Sequence, residues 1–111
     1  MAMQSFQLGQ SRPSGTTAAS IYSPGANVET TITSIIVCNT SGAAATYRIF
    51  HDHNGTTYDQ TTALFYDIAI AADTTHILDV FIAADDENGN LAVRTSVANA
   101  LTFTVYGAEV S

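Results

Sequence analysis

Between Thr31 and Asn39 the chain reads TITSIIVCN, and nearly every position is β-branched, small or apolar. At the two-residue period of an extended strand, Ile32, Ser34, Ile36 and Cys38 share one side and Thr33, Ile35 and Val37 the other. Apolar residues on both sides predict a strand covered on both faces. The next apolar run, Ala44 to Asp52, follows the turn Thr40-Ser41-Gly42-Ala43 and is expected to fold back on it as a central hairpin. Ala18 to Tyr22 is a shorter strand, ended by Ser23-Pro24-Gly25-Ala26-Asn27. The Asn54-Gly55 pair marks a tight reversal, after which Thr57 to Gln60 is expected to return as a short strand. Leu64 to Ile70, Thr75 to Ile82, Asn90 to Val97 and Leu101 to Val110 complete the set. In the last, Leu101, Phe103 and Val105 read as inward and Thr102, Thr104 and Tyr106 as outward. Leu64 to Ala72 has some helical propensity, but its alternation and flanking turns favour a strand. Seven or eight short strands separated by turns predict an all-β chain, a single antiparallel β-sandwich of jelly-roll or immunoglobulin-like topology.

Residues 1–17 break this rhythm with Gln, Ser, Gly, Arg and Pro. They read as an extended N-terminal arm able to add a short edge strand, followed by the sandwich domain, 18–111. A loose tail is the alternative, since termini order only when tied down. Phe6 and Leu8 are the arm's isolated apolar anchors and Arg12 its charge, and these three are the expected partner-binding residues. Such a segment can pair with the sheet edge of a neighbouring subunit.

Composition narrows the function more than any motif does. Of 111 residues 46% are hydrophobic and only 12% charged, about half the charge of an average domain. The polar surface is therefore Thr, Ser, Asn, Gln and backbone, suited to packing against another protein. There is no lysine, and Arg12, Arg48 and Arg94 face ten carboxylates for a net charge of −7. That balance excludes nucleic-acid binding, which needs cations to neutralise phosphate, and disfavours anionic membranes. The first residues lack the basic region and apolar run of a signal peptide, and no apolar stretch reaches the ~20 residues of a membrane helix. Synthesis in a host cytoplasm is the expectation. Cys38, the single cysteine, lies in the apolar strand and reads as an inert buried thiol.

Candidate chemistry is sparse. On a strand His51 and His53 would stand ~6.6 Å apart on one side, with His76 or a carboxylate to complete a metal set. An H-x-H strand is part of the cupin signature, but Thr57 and Tyr58 stand where its Glu belongs and its second motif is absent. Asp85-Asp86-Glu87-Asn88-Gly89-Asn90 has the composition of a calcium loop, yet Ala84 falls at the first ligand position and Thr95 at the bidentate one. A solvated acidic hairpin loop is the simpler reading. There is no G-x-S-x-G elbow. No catalytic, cofactor-binding or metal residue is expected. Tyr58, Tyr66 and Tyr106 are candidates for a sugar-stacking platform, which keeps a carbohydrate-binding module open as an alternative.

The second half, ALFYDIAIAADTTHILDVFIAADDENGNLAVRTSVANALTFTVYGAEVS, resembles the end of small virion proteins of tailed bacteriophages. The shared features are the turn Ala71-Ala72-Asp73-Thr74-Thr75 and a final strand with Phe103, Gly107 and Glu109 in an F-x-x-x-G-x-E pattern. YSPGANVETTITSIIVCNTSGAAATYRI is similar as well, a Pro-Gly turn before a strand ending in Cys-Asn. The insertion Asp85 to Gly89 departs from the pattern. The resemblance implies a non-enzymatic structural role in a virion. Capsid decoration or cement comes first, with the major capsid protein or other virion proteins as partners and homo-oligomerisation; a head–tail, tail or fibre component is the rival.

Overall fold

The computed structural model describes residues 3–111, and in it the alternation becomes eight strands. They are β1 (Met3–Ser11), β2 (Ala19–Tyr22), β3 (Glu29–Asn39), β4 (Ala45–Asp52), β5 (Ala63–Ile70), β6 (Thr75–Ala84), β7 (Asn90–Thr95) and β8 (Leu101–Val110). One sheet has the order β1-β8-β3-β6 and the other β2-β7-β4-β5. The first is called sheet A below and the second sheet B.

All pairings are antiparallel, and β1 joins β8, β2 joins β7, β3 joins β6 and β4 joins β5. The chain is thus a long ribbon of nested strand pairs rolled into two layers. Only the β4–β5 connection stays within one sheet; the other six cross between them. That is the eight-stranded jelly roll, and it sets aside the immunoglobulin-like alternative, in which neighbouring strands share sheets more often.

The expected central hairpin does not form. β3 has β8 on one side and β6 on the other, while β4 lies in the opposite sheet between β5 and β7. Asn39 explains the difference. Its buried amide donates to the carbonyls of Ala43 at 2.9 Å, Ile70 at 3.3 Å and Ala71 at 3.1 Å. Its Oδ1 accepts from the Ser41 backbone N–H and hydroxyl at 3.0 and 2.8 Å. A buried amide needs such partners, and meeting them turns 40–44 into a corner between sheets. Thr57 to Gln60 is also not a strand: Asp59 Oδ1 accepts from the backbone N–H and hydroxyl of Thr61 at 2.8 and 2.6 Å, closing an Asx turn.

The extended arm is not confirmed. Met3–Ser11 pairs with β8 from Met3 opposite Val110 to Ser11 opposite Phe103, as the edge strand of its own sheet. Residues 1 and 2 lie outside the described part. The following segment is tied down too, because Arg94 Nε donates to the Thr16 carbonyl at 3.1 Å.

The core fills the space between the layers with Ile32, Ile35, Val37, Tyr47, Ile49, Leu91, Val93, Leu101, Phe103 and Val105, all essentially inaccessible to water. A bulge at Thr33 lets Ile32 share the inner side with Ile35 and Val37 rather than with Ser34. Besides Asn39, two side-chain pairs cross the layers. The Tyr47 hydroxyl meets His76 Nδ1 at 2.9 Å. The Tyr22 hydroxyl donates to Glu109 at 2.5 Å, so the Thr30 hydroxyl, 2.6 Å away, must donate to it in turn. Burial, with the bond to Glu109 second, pushes the Tyr22 phenol up to about 12. The F-x-x-x-G-x-E pattern therefore has a packing meaning: Phe103 is core, Gly107 allows close strand approach, and Glu109 bonds across the sandwich.

Candidate interaction surfaces

The two outer faces differ in charge. The strands of sheet A contain neither lysine nor arginine. Their carboxylates are Glu29, Asp79 and Glu109, and the last is engaged by Tyr22. In β6 the inner side takes Leu78, Val80 and Ile82, which leaves Ile77 and Phe81 outward at 68% and 80% exposure. Single exposed apolar residues are ordinary, but these two flank Asp79 on the outward side of an edge strand with β3 as its one sheet partner. At the other edge Phe6, Ser5, Thr33, Tyr106, Gly107 and Ala108 line a shallow groove of about 290 Å³.

Of the expected partner-binding residues, Phe6 is exposed in that groove, Arg12 is exposed just past β1, and Leu8 packs against the core. The structure thus separates Leu8 from the other two. Ile77 and Phe81 share the outward side of β6 with Thr75 and Asp79, the one local sign of their exposure, which their own apolar character masked. Their exposure follows from lying on the outer side of a strand at the sheet edge, a position the sequence does not display.

Sheet B carries the strand-borne cations. Arg48 Nε and Nη2 donate to the two carboxylate oxygens of Asp67 at 2.6 and 3.1 Å, and Arg94 approaches the same group at 3.7 Å. The Arg48 guanidinium also lies over the Tyr66 ring, 3.9 Å from its centroid. Asp67 has a φ of 53°, left-handed backbone inside a strand, at a register break between β4 and β5. Hydrogen bonding by Arg48 holds the Asp67 carboxyl below its usual range. A depressed folded-state value stabilises the fold above the ordinary carboxylate range near pH 4 and is lost as the pH falls through the folded value. Urea midpoints should accordingly fall more between pH 6 and pH 3 in the wild type than in Asp67→Asn.

Phe50 faces the outer side of sheet B yet is only 2% exposed. It lies under the loop 53–62, with the Tyr58 ring 6.2 Å and the Tyr66 ring 6.5 Å away. Of the three tyrosines expected to form a platform, the structure brings Tyr58 and Tyr66 together and places Tyr106 on the opposite sheet. Arg48, Tyr58, Asp59, Gln60, Thr61 and Tyr66 line an open groove of about 400 Å³.

The other candidate clusters are dispersed. His76 bonds Tyr47 from sheet A, His51 is half-buried at the end of β4, and His53 stands 3.8 Å from Asp85. Burial, then the neighbouring His53, lowers the His51 value. Among the described residues no three His, Cys, Asp or Glu side chains converge as metal ligands. In the acidic loop Asp86 Oδ1 accepts from the Asn88 N–H at 2.8 Å and the Asp86 carbonyl from the Gly89 N–H at 2.9 Å. Asp86 therefore serves the reversal itself. Cys38 is half-buried on the outward side of β3.

No family model matches the chain, and no curated protein matches it. Among solved structures, that of infectious bursal disease virus, Gx strain, superposes with a TM-score of 0.52 at 14% identity, over 98% of this chain and 32% of that one. The Gt strain gives 0.43 at 12% identity, over 97% and 29%. The chain thus spans about a third of the length of the viral chains it is similar to. The Gx likeness is one of fold: this jelly roll recurs in a solved virus structure.

Proposed function

We propose that this protein is a non-enzymatic structural component of a virion, and specifically a capsid decoration or cement protein of a tailed bacteriophage. It would work by docking sheet A onto the major capsid protein and onto neighbouring copies. The carrying observation is the pair Ile77 and Phe81, exposed on an edge strand of a sheet free of basic residues. Docking such a surface removes apolar area from water and leaves few ions to desolvate. Phe6 in the groove by Tyr106 extends the same face, while Arg12 lies past the far end of β1. The fold likeness to a virus structure supports the reading, as does the resemblance of the strand-and-turn pattern to phage virion proteins. A place in the neck, tail or fibre would use the same face and is the second reading.

The test is to add purified protein to particles lacking it and count bound copies. Phe81→Asp should retain the wild-type circular dichroism and melting temperature. Its apparent affinity should fall by roughly thirtyfold, the loss of about 2 kcal/mol typical of a buried aromatic anchor. Full occupancy by Phe81→Asp would remove sheet A from the mechanism, and no binding by wild-type protein would count against decoration itself.

A further inference from the structure

The outer face of sheet B has features that docking through sheet A leaves unexplained. An aromatic residue, Phe50, is buried outside the core, and what covers it is a loop that carries four polar or aromatic residues in a row, Tyr58 to Thr61. That loop is stitched by its own groups. Thr62 Oγ1 donates to the Thr57 carbonyl at 2.8 Å, the Thr62 N–H to the Asp59 carbonyl at 3.1 Å, and the His51 N–H to the Thr62 carbonyl at 2.9 Å. Asp59 is fixed by its two bonds from Thr61. The opposite wall is equally constrained. Of the described non-glycine residues with positive φ, Asp67 is the one inside a strand, whereas Asn27, Asp73 and Asn99 lie in turns. Such a residue costs about 1–3 kcal/mol and marks a place where geometry is imposed. Bulges re-aim side chains, and here the irregular strand sets the Asp67 carboxylate to clasp Arg48 against the Tyr66 ring.

The result is a preorganised groove with Tyr58, Phe50 and Tyr66 as its aromatic wall and floor, the Arg48 guanidinium held by Asp67 over one face of Tyr66, and a rim of one carboxylate, one amide and one hydroxyl. Its volume, about 400 Å³, is within the range of small-ligand sites. Aromatic faces suit the C–H faces of a sugar ring, and the rim offers both donors and acceptors for its hydroxyls. An anionic ligand is disfavoured by the net charge of −7 and by Asp59 at the rim, because the one cation lining the groove, Arg48, is already paired with Asp67. The geometry points to a binding site for a neutral pyranose oligosaccharide on sheet B, between Tyr58 and Tyr66, with Asp59 and Gln60 as its hydrogen-bonding residues. It lies on the face opposite the proposed docking surface, so the two can be occupied at once and fail separately.

The experiment is backbone-amide NMR of the full chain titrated in turn with maltotetraose, chitotetraose and β-1,4-galactotetraose. At least one should shift the amides of 57–62 and Tyr66 in a saturable way. Gln60→Ala and Asp59→Asn, the second chosen because it keeps an acceptor for the Asx turn, should each weaken binding at least tenfold with other resonances unmoved. Phe81→Asp should bind as the wild type does. Unmoved amides with all three sugars, shifts centred on sheet A, or wild-type affinity in both groove variants would overturn the site.

Discussion

Tyr47→Ala should cost about 3–5 kcal/mol of unfolding free energy, the range for removing a large aromatic from a packed interior. Tyr47 is fully buried and makes an edge-on contact with Phe103, the centroids 6.2 Å apart. Its hydroxyl holds His76 across the layers. Truncation opens a cavity at the centre and strands a polar group at its edge. A small domain has only about 5–15 kcal/mol in total, so this variant should sit near the limit of folding. Tyr47→Phe separates the two contributions, since it keeps the ring and loses the bond, at about 1 kcal/mol. Urea denaturation of the three proteins is the measurement. A loss below about 1 kcal/mol in Tyr47→Ala would mean that the core is not organised around this residue.

Gly107→Ala should be nearly as damaging although it adds a single methyl. A Cβ at this position would lie 2.2 Å from the Thr31 carbonyl oxygen, 2.9 Å from Leu8 Cδ1 and 3.0 Å from Ile32 Cα. Leu8 can move, but Thr31 and Ile32 contribute backbone from the neighbouring strand. Relief requires β8 and β3 to separate at the middle of sheet A, and a loss of about 3 kcal/mol, the upper end for overpacking, is expected. Gly42→Ala is the control, because nothing lies within 4 Å of its Cβ position and its φ is not positive. That change should be neutral or stabilising by a few tenths of a kcal/mol. Thermal melts of both variants test the contrast, and equal stability would show that sheet A yields at Gly107 without cost.

The residues that were readable in advance are those whose meaning is local. Leu101, Phe103 and Val105 alternate with polar neighbours, and period two assigns them inward without knowledge of any partner. Partner choice is not local. The turn after Asn39 has the composition of a hairpin, and only the burial of the Asn39 amide shows that the chain crosses to the other sheet. Bulges are equally hidden: nothing in Thr33 or in the Tyr66-Asp67 pair announces that an extra residue will shift the register. The candidate surfaces followed the same division. Tyr58 and Tyr66 were recognisable as aromatic residues near a turn, while the clasp of Arg48 by Asp67 depends on a backbone angle. Ile77 and Phe81 were recognisable as strand residues, while their exposure depends on where the strand lies in its sheet.

The nesting of β1 with β8, β2 with β7 and β3 with β6 also governs when structure can appear. As the chain is made, β4 and β5 are the first neighbours to meet their partners, and each later strand closes a wider ring around them. β1 waits longest, since its partner begins at Leu101. Loop closure over such distances costs entropy before any contact offsets it, and folds dominated by distant pairings assemble slowly. Until β8 arrives, β3 has one edge open and β1 has none of its ladder, so the emerging chain exposes strand edges that the finished protein hides. The low charge also leaves those edges poorly guarded. Covering those edges therefore waits on β8, the strand that completes both the β3 and the β1 ladders.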